Sequence, residues 1–468
     1  MLRKQIEEYF DSHRAEMLGD IKTLVAIRSV SGEPEDGKPF GAKPAEALAA
    51  ALAMAKAHGF EQVANIDNYV GTIELGEGEA KLGILAHLDV VPEGEGWTEC
   101  DPYSCAEKGG KLFGRGVSDD KGPAVTAMYA LRCIKDLGLP VRHKVRLILG
   151  TSEETGSQDI AYYFRHYPTP PMVFSPDGEY PILNIEKGQL RPELEASFAE
   201  SQALPRVASV TGGTVLNAVP PVAEAVVEGM SAEEVRGYFA AAEEKTHAKF
   251  EAEGADGRVK ITSRGANAHA STPDMGVNAI TALIALLCSM PMAECEGFER
   301  LRAVNALMPH GETDGKALGI ACADDISGSL TASLDIFSFD GKTLNAKIDS
   351  RVPICGGEER LFGILKRKSE DAGLRARLVM AEPPHHTDEN SDFVRELKKV
   401  YGDYTGLEAK CIFMGGGTYV HDIDGGVGFG CEFPGVNTHM HGPDEFVRID
   451  DLMISGKMFA QVIADLCC

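Results

Sequence analysis

Short apolar runs in this chain stop abruptly on groups that carry charge or exchange protons, and that feature constrains the fold more than any other. "KLGILAHLDVV" meets His87 and Asp89, "KVRLILG" is followed at once by "TSEETG" with Glu153 and Glu154 side by side, and "PMVFSPDG" ends on Asp177. Runs of this length and composition read as buried strands. Helical patterns over 45–58 and 124–137 lie between them. Strand and helix in alternation is how a doubly wound α/β sheet reads, and in that architecture the loops at the carboxyl edge converge on a crevice.

The alternation lapses in the middle of the chain. Strand-like "ARLVM" and "LTASLDIFSF", with the helical "VNAITALIALLCSM", suit an inserted α+β domain. After the Pro-rich "EPPHHTDEN" the α/β pattern returns, with "AKCIFMGGGT" and helical stretches over 393–401 and 452–466. The expected division is 1–186 and 383–468 for a mixed-sheet catalytic domain and 187–382 for the insertion. A chain of 468 residues is too long for one core, and its 44% hydrophobic content is ample for two.

A net charge of -25, from 46 basic and 71 acidic residues, argues against nucleic acid as a partner, because phosphate binding needs clustered Lys and Arg. It suits cations. The N-terminal stretch is helical in period but broken by charges, so it lacks a signal-peptide core, and no segment reaches membrane-spanning length without charges. Eleven cysteines without a Cys-x-x-Cys pair read as small buried hydrophobes of a reducing compartment, which makes a cytoplasmic location the expectation. Cys467 and Cys468, at the very end, are expected to fray.

Each polar strand exit admits two readings. His87 and Asp89, two apart on one expected strand, face the same way, so the carboxylate can fix the tautomer of a metal-binding imidazole; they equally suit a polar strand end. In "GRGVSDDKG", Asp119 and Asp120 enter a helix as caps, or one of them spans two cations. Glu154 can bind a metal while Glu153 handles a water proton, or both belong to a solvated turn. Asp177 is an ordinary turn aspartate or a ligand. His439, His441 and Glu445 in "PGVNTHMHGPDEF" complete the set. Five groups of hard and borderline ligands, each at a strand exit, are harder to dismiss together than singly.

In this order, "AHLDVVP", "GRGVSDDKG", "SEETGS", "SPDG" and "HGPDE" resemble the metal-centre motifs of the M20 metallopeptidases, in particular the PepV-like dipeptidase branch. The likeness extends through "GGTVLNAVP", "GANAHASTPDMGVNAI" and "IDSRVP". It implies that His87 and Asp177 hold one divalent cation, that Glu154 and His441 hold a second, and that Asp119 bridges them. His441 is preferred to His439 because it begins the family's His-x-x-x-Glu. Asp89 would support His87, Glu153 would be the general base, and Asp120 is left as a helix cap. In the inserted domain, a lid in this family, His269 would reach the scissile carbonyl and Asn217 would contact substrate. Arg351 would clamp a terminal carboxylate, and Gly415, Gly416 and Gly417 would let backbone amides approach. Without the likeness, Arg351 reads as an ion-pair partner, Asn217 as a turn residue and the glycines as a flexible turn.

The expected activity is two-metal hydrolysis of dipeptides with a free C-terminal carboxylate. Zinc is the first choice of metal, with manganese or cobalt as alternatives. The partners expected are a small peptide substrate and neither nucleic acid nor membrane, for a monomer. An N-acyl amino acid deacylase and a catalytically silent metal- or peptide-binding protein are the rival readings.

Overall fold

The run Lys144–Gly150 becomes a strand buried on both sides: Val145, Leu147 and Leu149 enter one core while Ile148 enters another. Its neighbour Ala80–His87 divides in the same way, Ile84 and Ala86 against Leu85. Period-two side-chain direction makes this unavoidable once both faces are covered. These elements come from a computed structural model describing residues 1–255 and 257–468. The chain divides into two units, one made of Met1–Ile185, His386–Phe413 and Gly417–Cys468, the other of Glu186–His385 and Met414–Gly416.

The main sheet of the first unit runs Gln62–Ile66, Val70–Leu75, Lys144–Gly150, Ala80–His87, Met172–Ser175, Gly426–Gly428 and Ile182–Glu186. Its centre is parallel and its Gln62–Ile66/Val70–Leu75 hairpin side is antiparallel. Helices Leu2–Val25, Lys121–Asp136 and Ile449–Cys467 share the core on one face. On the other face, helix Gln158–Phe164 and the 3-10 turn Tyr419–Asp422 cover Leu85, Ile148 and Val173. This is a doubly wound mixed sheet. The register sets His87 opposite Gly150, so the two strands leave the sheet level with each other and their loops begin side by side.

Two local expectations change. The strand ends at His87, so Asp89 lies beyond it rather than on it. The C-terminus does not fray: Cys467 is buried, and its carbonyl accepts Arg142 N at 2.8 Å and His143 N at 3.1 Å, which satisfies a helix-end group that would otherwise lack a partner. All eleven cysteines are free thiols. Among the described residues, no helix is long and apolar enough to cross a membrane.

The second unit is built on an eight-stranded antiparallel sheet whose central members are Arg206–Gly212, Thr331–Phe339, Thr343–Val352 and Gly188–Ser197. Helices Ala279–Ser289, Glu296–Leu307 and Glu358–Asp371 join Leu334, Ile348 and Leu190 in its core. Residues one step out of phase with these are polar. Ser333 opposes Asp349 and Arg351 opposes Gln189, so all four side chains stand on the face away from the helices.

Candidate metal centre

His87 is fully buried where its strand ends, and its two nitrogens have different surroundings. Nδ1 lies 3.0 Å from the Asp89 carbonyl oxygen and 3.4 Å from Asp89 Oδ1. Nε2 lies 2.8 Å from Asp119 Oδ1 and 3.7 Å from Asp177 Oδ2. Committing Nδ1 to Asp89 aims Nε2 at the two carboxylates. Across Asp119 the pattern repeats: Oδ2 is 2.8 Å from His441 Nε2, which is itself 3.3 Å from Glu154 Oε1. Donor atoms of His87, Asp119 and Asp177 fall within 4.8 Å of one another, as do those of Asp119, Glu154 and His441. Asp119 belongs to both sets. His439 stands apart, with its ring packed edge-on against Phe446.

Buried carboxylates hold this arrangement from behind. Glu445 Oε1 accepts the amides of Gly116 and Ser118 at 3.0 Å each and that of Asp119 at 3.3 Å, while Oε2 pairs with Arg115 Nη1 at 2.5 Å. The loop that delivers Asp119 is thereby wrapped around one side chain. Asp89 Oδ1 accepts Glu153 N and Oδ2 accepts Glu154 N, each at 3.1 Å. Asp120 does not act as the expected side-chain cap. It occupies the N-cap position of Lys121–Asp136 without capping, and its Oδ2 accepts the backbone N–H of His87 at 3.0 Å. The next residue, Lys121, is fully buried and donates to the carbonyls of Leu24 at 3.1 Å and Ile27 at 2.6 Å, which ties the end of helix Leu2–Val25 to this loop.

So much acid in one buried place raises proton affinity. Burial, then the charge of Asp119, pushes Asp177 up to about 8, and the same two causes raise Glu154. Burial lifts Glu153 well above the carboxylate range; His87 opposes this, and Asp177, Glu154 and Asp119 add to it. Asp119 is the exception: burial works against its charge, but hydrogen bonds from His441 and His87 hold it well below its usual range. Both imidazoles are held high by their carboxylate partners although burial opposes it. Such a group of acids needs positive charge among it, as protons or as metal ions. The donor set of imidazole nitrogens and carboxylate oxygens suits divalent cations. Glu154 Oε1 is buried and, beyond the ion pair with His441 at 3.3 Å, makes no hydrogen bond among the described residues, so it is an acceptor that a cation would satisfy.

The remaining candidates gather in the second unit, except Gly417, which starts the return to the first. Ala218 bridges His269, and Ala270 N donates to the Asn217 carbonyl at 2.9 Å, so the Asn217 and His269 segments run side by side. The His269 Nδ1 lies 2.6 Å from Ser271 Oγ. A side chain at Gly415 would collide with Ser271, so that glycine serves a close approach rather than a flexible turn. Arg351 Nη1 donates to the Gly415 carbonyl at 2.5 Å, while Nε and Nη2 grip Asp349 at 2.6 and 3.1 Å. Its fork is taken by Asp349, and among the described residues these bonds leave one N–H on each terminal nitrogen for another acceptor. Asp349 also accepts Arg191 Nε at 3.0 Å, and Asp335 accepts Asn217 N at 3.0 Å.

Sequence reasoning passed over Asp349, Asp335, Asp159, Tyr419 and Arg115. A signal existed for Asp349 alone, which stands two residues before Arg351 and therefore on the same strand face.

The family description "Peptidase family M20/M25/M40" matches residues 83–465. The YtjP protein of Bacillus subtilis (strain 168) is 35% identical over 458 residues, 97% of each chain. The Beta-Ala-Xaa dipeptidase of Lactobacillus delbrueckii subsp. lactis is 33% identical over 469 residues, 98% of each. In fold, human carnosine dipeptidase 1 superposes with a TM-score of 0.63 over 100% of this chain and 99% of its own, at 16% identity. With motif order, ligand geometry and similarity along nearly its whole length in agreement, the chain belongs to peptidase family M20/M25/M40.

Proposed function

We propose that this protein is a metal-dependent dipeptidase acting on dipeptides with a free C-terminal carboxylate, with Glu153 as the general base. The observation that carries the reading is the pair of ligand groups sharing Asp119, beside a glutamate whose backbone is held on the same carboxylate as its ligand neighbour. His87, Asp119 and Asp177 would hold one divalent cation and Asp119, Glu154 and His441 another, zinc first, with manganese or cobalt as alternatives. When bound, such ions polarise the peptide carbonyl and bring the pKa of a water towards neutrality.

The protein's own groups do the rest. Glu153 takes the proton from the attacking water and returns it to the departing amine. Asp89 keeps His87 in one orientation and fixes the amides of Glu153 and Glu154. His269 is assigned to the oxyanion, and Asn217, Arg351 and the Gly415–Gly417 loop to the substrate. The edge of Arg351 not engaged by Asp349 would receive the terminal carboxylate.

The same chemistry would serve an N-acyl amino acid deacylase, and a silent binding protein would keep the ligands without turnover. The test is chelation followed by re-addition of Zn2+, Mn2+ or Co2+, assayed on free dipeptides, C-terminally amidated dipeptides and N-acetyl amino acids. Metal-dependent hydrolysis of free dipeptides, with the amides poorly cleaved, is expected. Preference for N-acetyl amino acids would replace this reading with the deacylase, and metal binding without turnover on any of them would leave the binder.

A further inference from the structure

Four consecutive amides in the turn after Lys144–Gly150 each donate to a buried carboxylate. Glu153 N and Glu154 N use Asp89, at 3.1 Å each. Thr151 N and Ser152 N use Asp159 Oδ2, at 2.5 and 2.9 Å. The same Asp159 oxygen accepts the Tyr419 hydroxyl at 2.5 Å, and its other oxygen accepts Ile160 N at 2.8 Å. We propose that Asp159 and Tyr419 are a positioning pair for the reaction: they anchor the near half of the turn, as Asp89 anchors the far half, and so fix where Glu153 presents its carboxylate. This rests on the reading of Glu153 as the base.

An acidic residue in the first turn of a helix is ordinarily a solvated complement to the helix dipole. Asp159 is different. It is fully buried, Tyr419 is 3% exposed, and the carboxylate takes four donors on two oxygens, which no neutral side chain can match. Neither residue belongs to the two ligand groups. The strand makes room for them, because a side chain at Gly150 would overlap both Tyr419 Oη and Asp159 Oδ2. Gly150 is absent from the positions with positive φ, so this close approach is the physical reason for glycine there. The Tyr419 ring also stands edge-on to His87, 6.1 Å between centroids, so the pair backs the turn and the strand exit together. A general base works only within hydrogen-bond reach of its proton, and a displacement of about 1 Å can cost about 10²-fold in rate.

The experiment compares metal-loaded wild type with Tyr419→Phe, Asp159→Asn and Gly150→Ala for dipeptide hydrolysis, bound metal by mass spectrometry and Tm. The Asp159→Asn change replaces one carboxylate oxygen with an amide nitrogen, a donor that must then face a donor, so the clamp opens without loss of bulk. A fall in kcat of about tenfold for Tyr419→Phe and about 10²-fold for Asp159→Asn is expected, with KM within about twofold and metal content unchanged. In a Glu153→Ala background, Asp159→Asn should lower kcat no further, because both changes remove one contribution. A purely structural role predicts additive losses in that double variant, and such additivity overturns the proposal. So does a normal kcat in Tyr419→Phe, or a loss of turnover matched by loss of metal. Gly150→Ala, whose added carbon would displace the pair, should lower kcat as Asp159→Asn does with metal content unchanged; if either of these fails to fold, Tyr419→Phe decides. A wild type inactive on dipeptides would remove the reaction reading and the pair's role with it, whereas an active wild type with unaffected variants would remove the pair alone.

Discussion

At Glu445 a single buried carboxylate accepts three loop amides and neutralises Arg115, which is 1% exposed. A buried cation left without its partner typically costs about 3–5 kcal/mol. Glu445→Gln keeps an oxygen for the amides but turns an amide group towards Arg115. It should therefore lower unfolding free energy by about that amount in urea titration and loosen metal binding through the Asp119 loop. Stability within about 0.5 kcal/mol of wild type would contradict this account of the loop. Glu153 belongs to the same acidic cluster with the opposite expectation. With Glu153 proposed as base rather than ligand, Glu153→Ala is expected to keep its metal while losing about 10²-fold or more in kcat, and near-normal turnover would remove it from the chemistry.

Elements explain which parts of the site could be read in advance. His87, Glu153, Glu154 and Asp177 each close or follow an apolar run, and a strand buried on both faces tolerates polar groups chiefly at or past its end, or where a partner meets them as Glu74 meets Arg146, so the run itself announces the residue. Asp159 was hidden because it lies inside the helix Gln158–Phe164, where an acid looks solvated, and because its partner Tyr419 is 260 residues away. Asp120 deceived for a related reason: its position is that of a cap, but only the fold reveals that the amide of His87 competes for it. Caps are legible where the acceptor's target is local. Asn278 accepts Ile280 N at 3.0 Å and Thr281 N at 3.1 Å at the start of Ala279–Ser289. Asn278→Ala should cost about 1–2 kcal/mol in the second unit while leaving metal stoichiometry unchanged, since every candidate ligand lies in the first. Loss of metal in that variant, measured on the folded fraction, would show that the cap does more than hold its helix.

For the whole molecule, proton uptake, metal binding and stability are linked quantities. Asp177 has an ordinary value of 3.8 and is raised to about 8 by burial and Asp119, so between those values the folded, metal-free protein holds a proton that the unfolded chain has released. Its contribution is complete below about pH 4 and disappears as pH climbs towards 8, so stability falls with rising pH. Glu154 and Glu153, both raised, act in the same direction. His441, held up to about 11 by Asp119 and Glu154 against the effect of burial, contributes fully below 6.5 and loses that contribution as pH rises further. Asp119, held low, acts oppositely, but only as pH falls below its ordinary 3.8. Chelated protein should therefore melt at progressively lower temperature from about pH 5.5 to about pH 8. Divalent cations bind the deprotonated groups, so the rise in Tm on adding Zn2+ or Mn2+ should widen over the same range. Each proton displaced corresponds to about 1.4 kcal/mol of extra binding free energy per pH unit. Binding near neutral pH should also release protons, detectable as a buffer-dependent heat in calorimetry. A metal-induced Tm shift that stays flat over that range, with no proton release, would mean that the ions bind somewhere other than among these carboxylates.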